Sequence, residues 1–350
     1  MNRISPYTIW IFGCWASPSI HISRALIEKP RFRAATKRLF LRIDITKGQQ
    51  TQSETEHGVR AIVNPKRNHH ILPRLYLEGF VEETGEPFVW KFTKGEPFTP
   101  GNHRRNNPRR ISIGKPSATR DYYAYPNASD DAEFERIENL LMSFEQKSDR
   151  ILLKIRNREK ITAEEKREFA FYINQMNRRV PHYRDAQGKR LPDAWAQLKK
   201  EVIEKFNLTD SEKDRTLLAV IESKITSSDY IAKVHLDTIL NTKESQVTEA
   251  IASMRWHFFE TTPDVGFITS DNPMFYSTGV GLLNPLSEFC FPISTTVALV
   301  GSRADKVEEG YFDANSQLVK DVNRRIAGRA TKEVYFHRPE EWVQTIFDKA

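Results

Sequence analysis

Five residues in this chain have the types from which a hydrolytic site is built: His70, Glu138, Glu145, Arg179 and Asp271. Glu138 and Glu145 are seven residues apart, nearly two helical turns, so on a helix they share one face. Phe134, Leu141, Ser148 and Leu152 fall in the same angular sector. The two carboxylates therefore border an apolar stripe, where a charge is costly unless it is paired or coordinated. Arg179 follows Tyr172 by seven residues and Met176 by three, which puts it beside a second stripe and makes it a candidate partner. Asp271 follows the apolar run Gly266-Phe-Ile-Thr269 and precedes Asn272-Pro273, so it projects at a strand end. Strand ends often carry catalytic groups, and Ser-Asp-Asn is also ordinary turn chemistry.

Brought together, Glu138, Glu145 and Asp271 with His70 would hold Mg²⁺ or Mn²⁺ through oxygen, the histidine acting as ligand or general base. Arg179 would then stabilise the negative charge that develops in phosphoryl transfer. That set describes a metal-assisted hydrolase of phosphoesters, with nucleic acid among the substrates that fit. The competing reading is a non-enzymatic binding or effector module whose buried Glu/Arg/His network is structural. It expects Glu138 to pair directly with Arg179 and no pocket around them.

The elements that must position these residues can be read from periodicity. Phe134, Ile137, Leu141, Phe144, Ser148, Ile151 and Ile155 recur at helical spacing behind Asp130 and Asp131, which suit a helix start. Thr162-Ala-Glu-Glu165 forms a capping box for a second helix that ends at Pro181. Further helices are expected at about 192–206, 210–225 and 228–252, the last broken near Thr242 to Ser245, with another from Ala314 to Ala330. Short apolar or alternating runs at Phe88–Phe92, Trp256–Glu260, Gly266–Thr269, Phe289–Ile293, Thr296–Val300 and Glu333–Phe336 read as strands. Asn102 to Arg110 reads as a solvated basic loop. Strands at both ends with helices between them predict an α+β fold: a central helical bundle with short, mostly antiparallel strands from the N- and C-terminal parts.

Four motifs in order, His70-Ile-Leu-Pro73-Arg74-Leu-Tyr76-Leu77-Glu-Gly-Phe80, Glu138 to Glu145 behind Asp121-Tyr122-Tyr123, Arg179-Val-Pro181, and Thr269-Ser-Asp-Asn-Pro273 between Trp256 and Phe291-Pro292, resemble the domain of unknown function 4238 family over roughly residues 68–336. The resemblance implies no reaction, so the chemistry rests on the residues.

Composition bounds the rest. With 39% hydrophobic and 28% charged residues, the chain is that of a folded protein. Nothing approaches the roughly 18–20 apolar residues of a membrane span. Cys14 and Cys290 are the only cysteines, which excludes a disulfide scaffold and a cysteine-rich zinc site and fits a cytoplasmic protein. The isoelectric point of 9.2 suggests a nucleic-acid partner. Yet residues 1–60 hold ten of the basic side chains against four acids, so most of the net charge of +7 lies there. Residues 1–60 therefore read as a basic, poorly ordered extension and 61–350 as a single α+β domain. Thr8–Ala16 is apolar, but Pro6 and Pro18 bracket it and no small-residue cleavage site follows, against a signal peptide. There is no P-loop, no dinucleotide fingerprint and no nucleophile elbow. His57, His103, His182, His235 and His257 lack metal-ligand spacing, and Tyr122, Tyr123 and Tyr125 read as packing.

Overall fold

The computed structural model describes residues 68–99, 107–114, 118–120, 122–123, 131–241, 245–277, 281–303 and 307–350. The basic extension expected over residues 1–60 lies outside them. Alternation of side chains along the strands sets the architecture. In β5 (Arg255–Glu260), β8 (Glu288–Pro292) and β9 (Val297–Ser302), Trp256, Phe258, Phe289, Phe291, Val297 and Leu299 face one hydrophobic cluster. The intervening Phe259, Cys290, Ala298 and Val300 face another. β2 (Phe88–Thr93) and β11 (Glu333–Phe336) repeat the pattern, with Val89 and Tyr335 to the first cluster and Trp90, Phe92, Val334 and Phe336 to the second. A period of two with apolar residues on both faces describes sheets covered on both sides.

The strands form two larger sheets. β10 (Gly310–Asp313), β5, β9, β8 and β7 (Phe275–Tyr276) make one, antiparallel except for β10 with β5. β3 (Arg109–Ser112), β2, β11 and β6 (Thr269–Ser270) make the other, wholly antiparallel. β1 (Asn68–His70) and β4 (Ala118–Arg120) pair separately. On the first face lie α1 (Arg74–Leu77), α2 (Asp131–Arg156), α3 (Ala163–Arg178) and α7 (Gln246–Ala252). On the second lie α8 (Ser316–Arg329) and α9 (Glu341–Lys349). Large side chains such as Trp256, Phe169, Phe289 and Phe291 are fully covered, each contributing about 1.5–3 kcal/mol of burial. Gly301 is required here, because a Cβ would stand 1.9 Å from the ring of Phe289.

The α+β class is as expected, but the largest core is helix on sheet and not a helical bundle. Other differences have physical reasons. Thr162 does cap α3 through the reciprocal box with Glu165. Pro181, however, opens α4 (Pro181–Phe206) at its first position, where its missing N–H costs nothing. α4 then runs through Pro192, which is exposed, so the carbonyl it leaves unpaired four residues back can meet water. α5 (Glu212–Ile225) and α6 (Ser228–Leu240) follow, and α6 and α7 are separate, as the break predicts. Arg109 and Arg110 belong to an edge strand and not a loop. Arg110 lies 3.9 Å over the Phe88 ring and pairs with Glu82 and Glu86. Among the described residues no helix is long and apolar enough to cross a membrane.

Candidate functional site

Four of the five candidate residues lie on segments that meet at one small cluster. Ile71 follows His70, Ile137 precedes Glu138, and Val180 follows Arg179; all three are buried together with Tyr123, Leu141 and Leu236. His70 ends β1 and Glu138 lies on α2, while the side chains of both are outside those described. Glu145, two turns on along α2, is described, and it meets Arg179. Nη1 of Arg179 donates to Oε1 of Glu145 at 2.7 Å, and Nε donates to the hydroxyl of Tyr123 at 3.1 Å. Arg179 is 4% exposed whereas the Glu145 side chain is 27% exposed, so the pair has one buried end and one open end. Burial opposes the charge of Arg179, but Tyr123 and Glu145 outweigh it and hold the guanidinium protonated.

The open end carries a residue that the sequence reading passed over. Asp149 is one turn beyond Glu145 on the same stripe, and its Oδ1 is buried without a hydrogen-bond partner. Burial pushes its carboxyl up to about 6, the charges of Glu145 and Glu78 add to this, and Arg156 opposes it. Arg156 closes α2. One Nη donates to the carbonyls of Leu75, Tyr76 and Ile293, tying α1 and the β8 end to the helix. Gly79 makes room for that contact: a Cβ there would stand 2.6 Å from Nη2 of Arg156 and 2.5 Å from the Ile293 carbonyl. The Tyr76 hydroxyl, wholly buried, donates to the Pro292 carbonyl at 2.8 Å and lies 2.7 Å from Oγ1 of Thr269. This is what the Tyr76-Leu-Glu-Gly79 motif does structurally. It joins both sheets to the C-terminal end of α2.

Asp271 is placed differently. Its Oδ1 accepts from the backbone N–H of Thr331 at 2.7 Å, and its Oδ2 accepts from Lys332 at 2.7 Å and Glu333 at 3.1 Å. Burial pushes this carboxyl up to about 6 against the lowering by those three donors. Asn272 donates to the carbonyl of Arg329 at 2.9 Å. Asp271 and Asn272 thus hold the chain between α8 and β11.

His235, set aside in the sequence for want of ligand spacing, is fully buried on α6. Its Nε2 lies 2.8 Å from the Arg178 carbonyl, which can only accept, so Nε2 carries the proton and Nδ1 of the neutral ring is bare. Burial lowers its pKa to about 4, with the Arg178 carbonyl opposing and Arg184 adding. Arg178 in turn donates to the carbonyls of Thr238 and Asn241 at the end of α6. This two-way clamp fixes the end of α3 from which Arg179 extends. Only tertiary contact reveals it, since residues 178 and 235 share no local pattern.

Among the described residues, no three His, Cys, Asp or Glu side chains stand together as a metal-ligand set. No curated protein and no solved structure matches the chain. The family DUF4238, protein of unknown function, matches residues 68–340. With that match spanning more than half its length, the chain belongs to the DUF4238 family.

Proposed function

We propose that this chain is a metal-assisted hydrolase of phosphoesters whose reaction runs over the acidic stripe of α2. The observation that carries this is Asp149: a half-buried carboxyl, raised to about 6 by burial and by Glu145 and Glu78, with one oxygen unpartnered. A carboxyl so held exchanges protons near neutral pH, as a general base must. In the proposed reaction a water oxygen attacks phosphorus, Asp149 takes the water's proton, and the ester P–O bond breaks with the leaving oxygen protonated from solvent. His70, Glu138 and Glu145 are assigned as ligands of Mg²⁺ or Mn²⁺. Asp271 is released from that role because both of its oxygens are already bound by backbone N–H groups. Arg179, engaged by Glu145 and Tyr123, is assigned to position Glu145 and not to touch substrate.

A second reading, a non-enzymatic binding module, has one observation in its favour: Arg179 is almost wholly buried between Glu145 and Tyr123, as a structural clamp would be. Thermal melting in Mn²⁺, Mg²⁺ and EDTA separates the two. The hydrolase reading expects divalent metal to raise the melting temperature of the wild type and not of Glu145→Gln. A wild type indifferent to both metals would favour the clamp.

A further inference from the structure

One end of the sheet containing β2, β11 and β6 is closed by charged side chains that the proposed reaction does not use. β11 lies between β2 and β6 and is antiparallel to both, so the residues that follow it meet the turns that precede its two neighbours. Arg338 joins all three segments. Its Nη2 donates to the carbonyl of Asp264 at 2.9 Å and to that of Pro263 at 3.4 Å. Its Nη1 stands 3.4 Å from Oδ1 of Asp264 and 3.6 Å from Oε1 of Glu83, and its Nε stands 3.0 Å from Oε1 of Glu340.

His337, just before it, is 2% exposed. Its ring centroid is 4.2 Å from that of Phe336, which in turn meets Trp342 at 5.2 Å. Nε2 of His337 lies 3.3 Å from the same Glu83 oxygen that Arg338 approaches, too poorly aligned for a hydrogen bond, and Nδ1 has no partner. A sealed imidazole thus shares its close carboxylate with a permanent cation. Glu83 is 60% exposed, so water and salt screen its attraction. Burial and then the charge of Arg338 oppose protonation of the ring, and Glu83 and Asp264 offset them only in part. The pKa of His337 therefore lies below the ordinary 6.5.

We propose that His337 is an acid-sensitive latch at this end of the sheet. Neutral, it packs against Phe336 and leaves Glu83 to Arg338, which holds the three segments together. Protonated, it competes with Arg338 for Glu83 and frees residues 82–85 and Pro263–Val265 from residues 337–340. The latch is strongest above about pH 6.5, where both the closed and the open ring are neutral. It weakens as the pH falls, because the open form takes up the proton first. The amides of Gly85, Val265 and Glu340 each donate to a carbonyl within their own turn, so the segments can part without breaking a strand pairing. Such an event is local opening and not global unfolding.

Native-state hydrogen exchange of the full chain at about pH 5 and about pH 7.5, corrected for the intrinsic pH dependence of exchange, tests this. In the wild type, Gly85, Val265 and Glu340 should lose about tenfold more protection on acidification than in His337→Phe. That variant keeps an aromatic ring in place and cannot be protonated. Glu83→Gln, at an exposed position, removes the countercharge of the imidazolium and should deepen the acid-dependent loss beyond that of the wild type. Amides of α6, which carries the buried His235, should respond alike in wild type and His337→Phe. Equal loss at the three turn amides in wild type and His337→Phe overturns the latch, as does a Glu83→Gln protein with the wild-type pH dependence. Opening of the three amides only together with those of α6 also overturns it, because the event would then be global.

Discussion

Nη1 of Arg179, at the end of α3, stands 2.7 Å from Oε1 of Glu145 on α2, joining a side chain sealed from solvent to one that reaches it. A charge pair open at one end can be structural at the buried side and chemical at the exposed side. The predictions separate these roles.

Arg179→Met removes the buried partner of Glu145 and a donor to the Tyr123 hydroxyl. Breaking a buried pair by deleting one partner costs about 3–5 kcal/mol, and the low end applies because Glu145 can still hydrate. Glu145→Gln keeps an acceptor facing Arg179 but leaves the sealed guanidinium without its countercharge, so it should cost at least as much, about 3–5 kcal/mol. Urea denaturation of both variants checks the order. A much cheaper Glu145→Gln would mean that Tyr123 alone sustains the charge of Arg179.

Gly79→Ala should destabilise the fold by about 1–3 kcal/mol, the usual range for overpacking. The new methyl would displace Arg156 from the carbonyls of Leu75, Tyr76 and Ile293. Thermal melting at neutral pH measures it, and an unchanged melting temperature would show that Arg156 moves aside freely.

Asp271→Ala strips three backbone N–H groups of their acceptor at a site only 6% exposed. A single buried unsatisfied group costs about 1–3 kcal/mol, so a loss of at least about 3 kcal/mol is expected. Hydrogen exchange at Thr331, Lys332 and Glu333 should accelerate in parallel. Retained protection at those three amides would contradict the clamp.

How much of this was legible in the sequence follows from the range of the interactions. The α3 cap was, because Thr162 and Glu165 are local; so were β2, β5, β9 and β11, whose apolar or alternating runs are strong. β10 and β3 were not, since Gly310–Asp313 has little pattern and Arg109–Arg110 reads as solvated until Glu82, Glu86 and Phe88 are brought beside it. The Glu138 to Glu145 spacing put both residues on one helix, and both lie on α2. Asp149 lay on the same stripe and could have been found by carrying that spacing one turn further. Asp271 drew attention as a strand-end acid, and its partners, some sixty residues away, explain it as a turn clamp. His235 had no signal, because its partner is a backbone carbonyl on another helix.

Acid stability should depend on His235. Its folded pKa, about 4, is below the ordinary 6.5, so the unfolded chain binds the proton first. Stability is therefore full above about pH 6.5 and falls as the pH drops towards 4, by at most about 3 kcal/mol. Asp149 and Asp271, raised from 3.8 to about 6, act in the opposite sense over the same window, since their folded forms take up protons first. The difference between wild type and His235→Gln in denaturation at pH 4.5 and 7 isolates the histidine. An identical pH dependence in the two proteins would remove it from the account.

The central claim is that Asp149 exchanges a proton in metal-assisted phosphoester hydrolysis. Turnover of bis(p-nitrophenyl) phosphate with Mn²⁺, measured across pH for wild type and for folded Asp149→Asn, tests it most directly. The account predicts metal-dependent turnover in the wild type with a rising limb on the acid side, and a loss of about 10²–10⁴-fold without that limb in the variant. Turnover undiminished in Asp149→Asn, or unaffected by EDTA in the wild type, would contradict it.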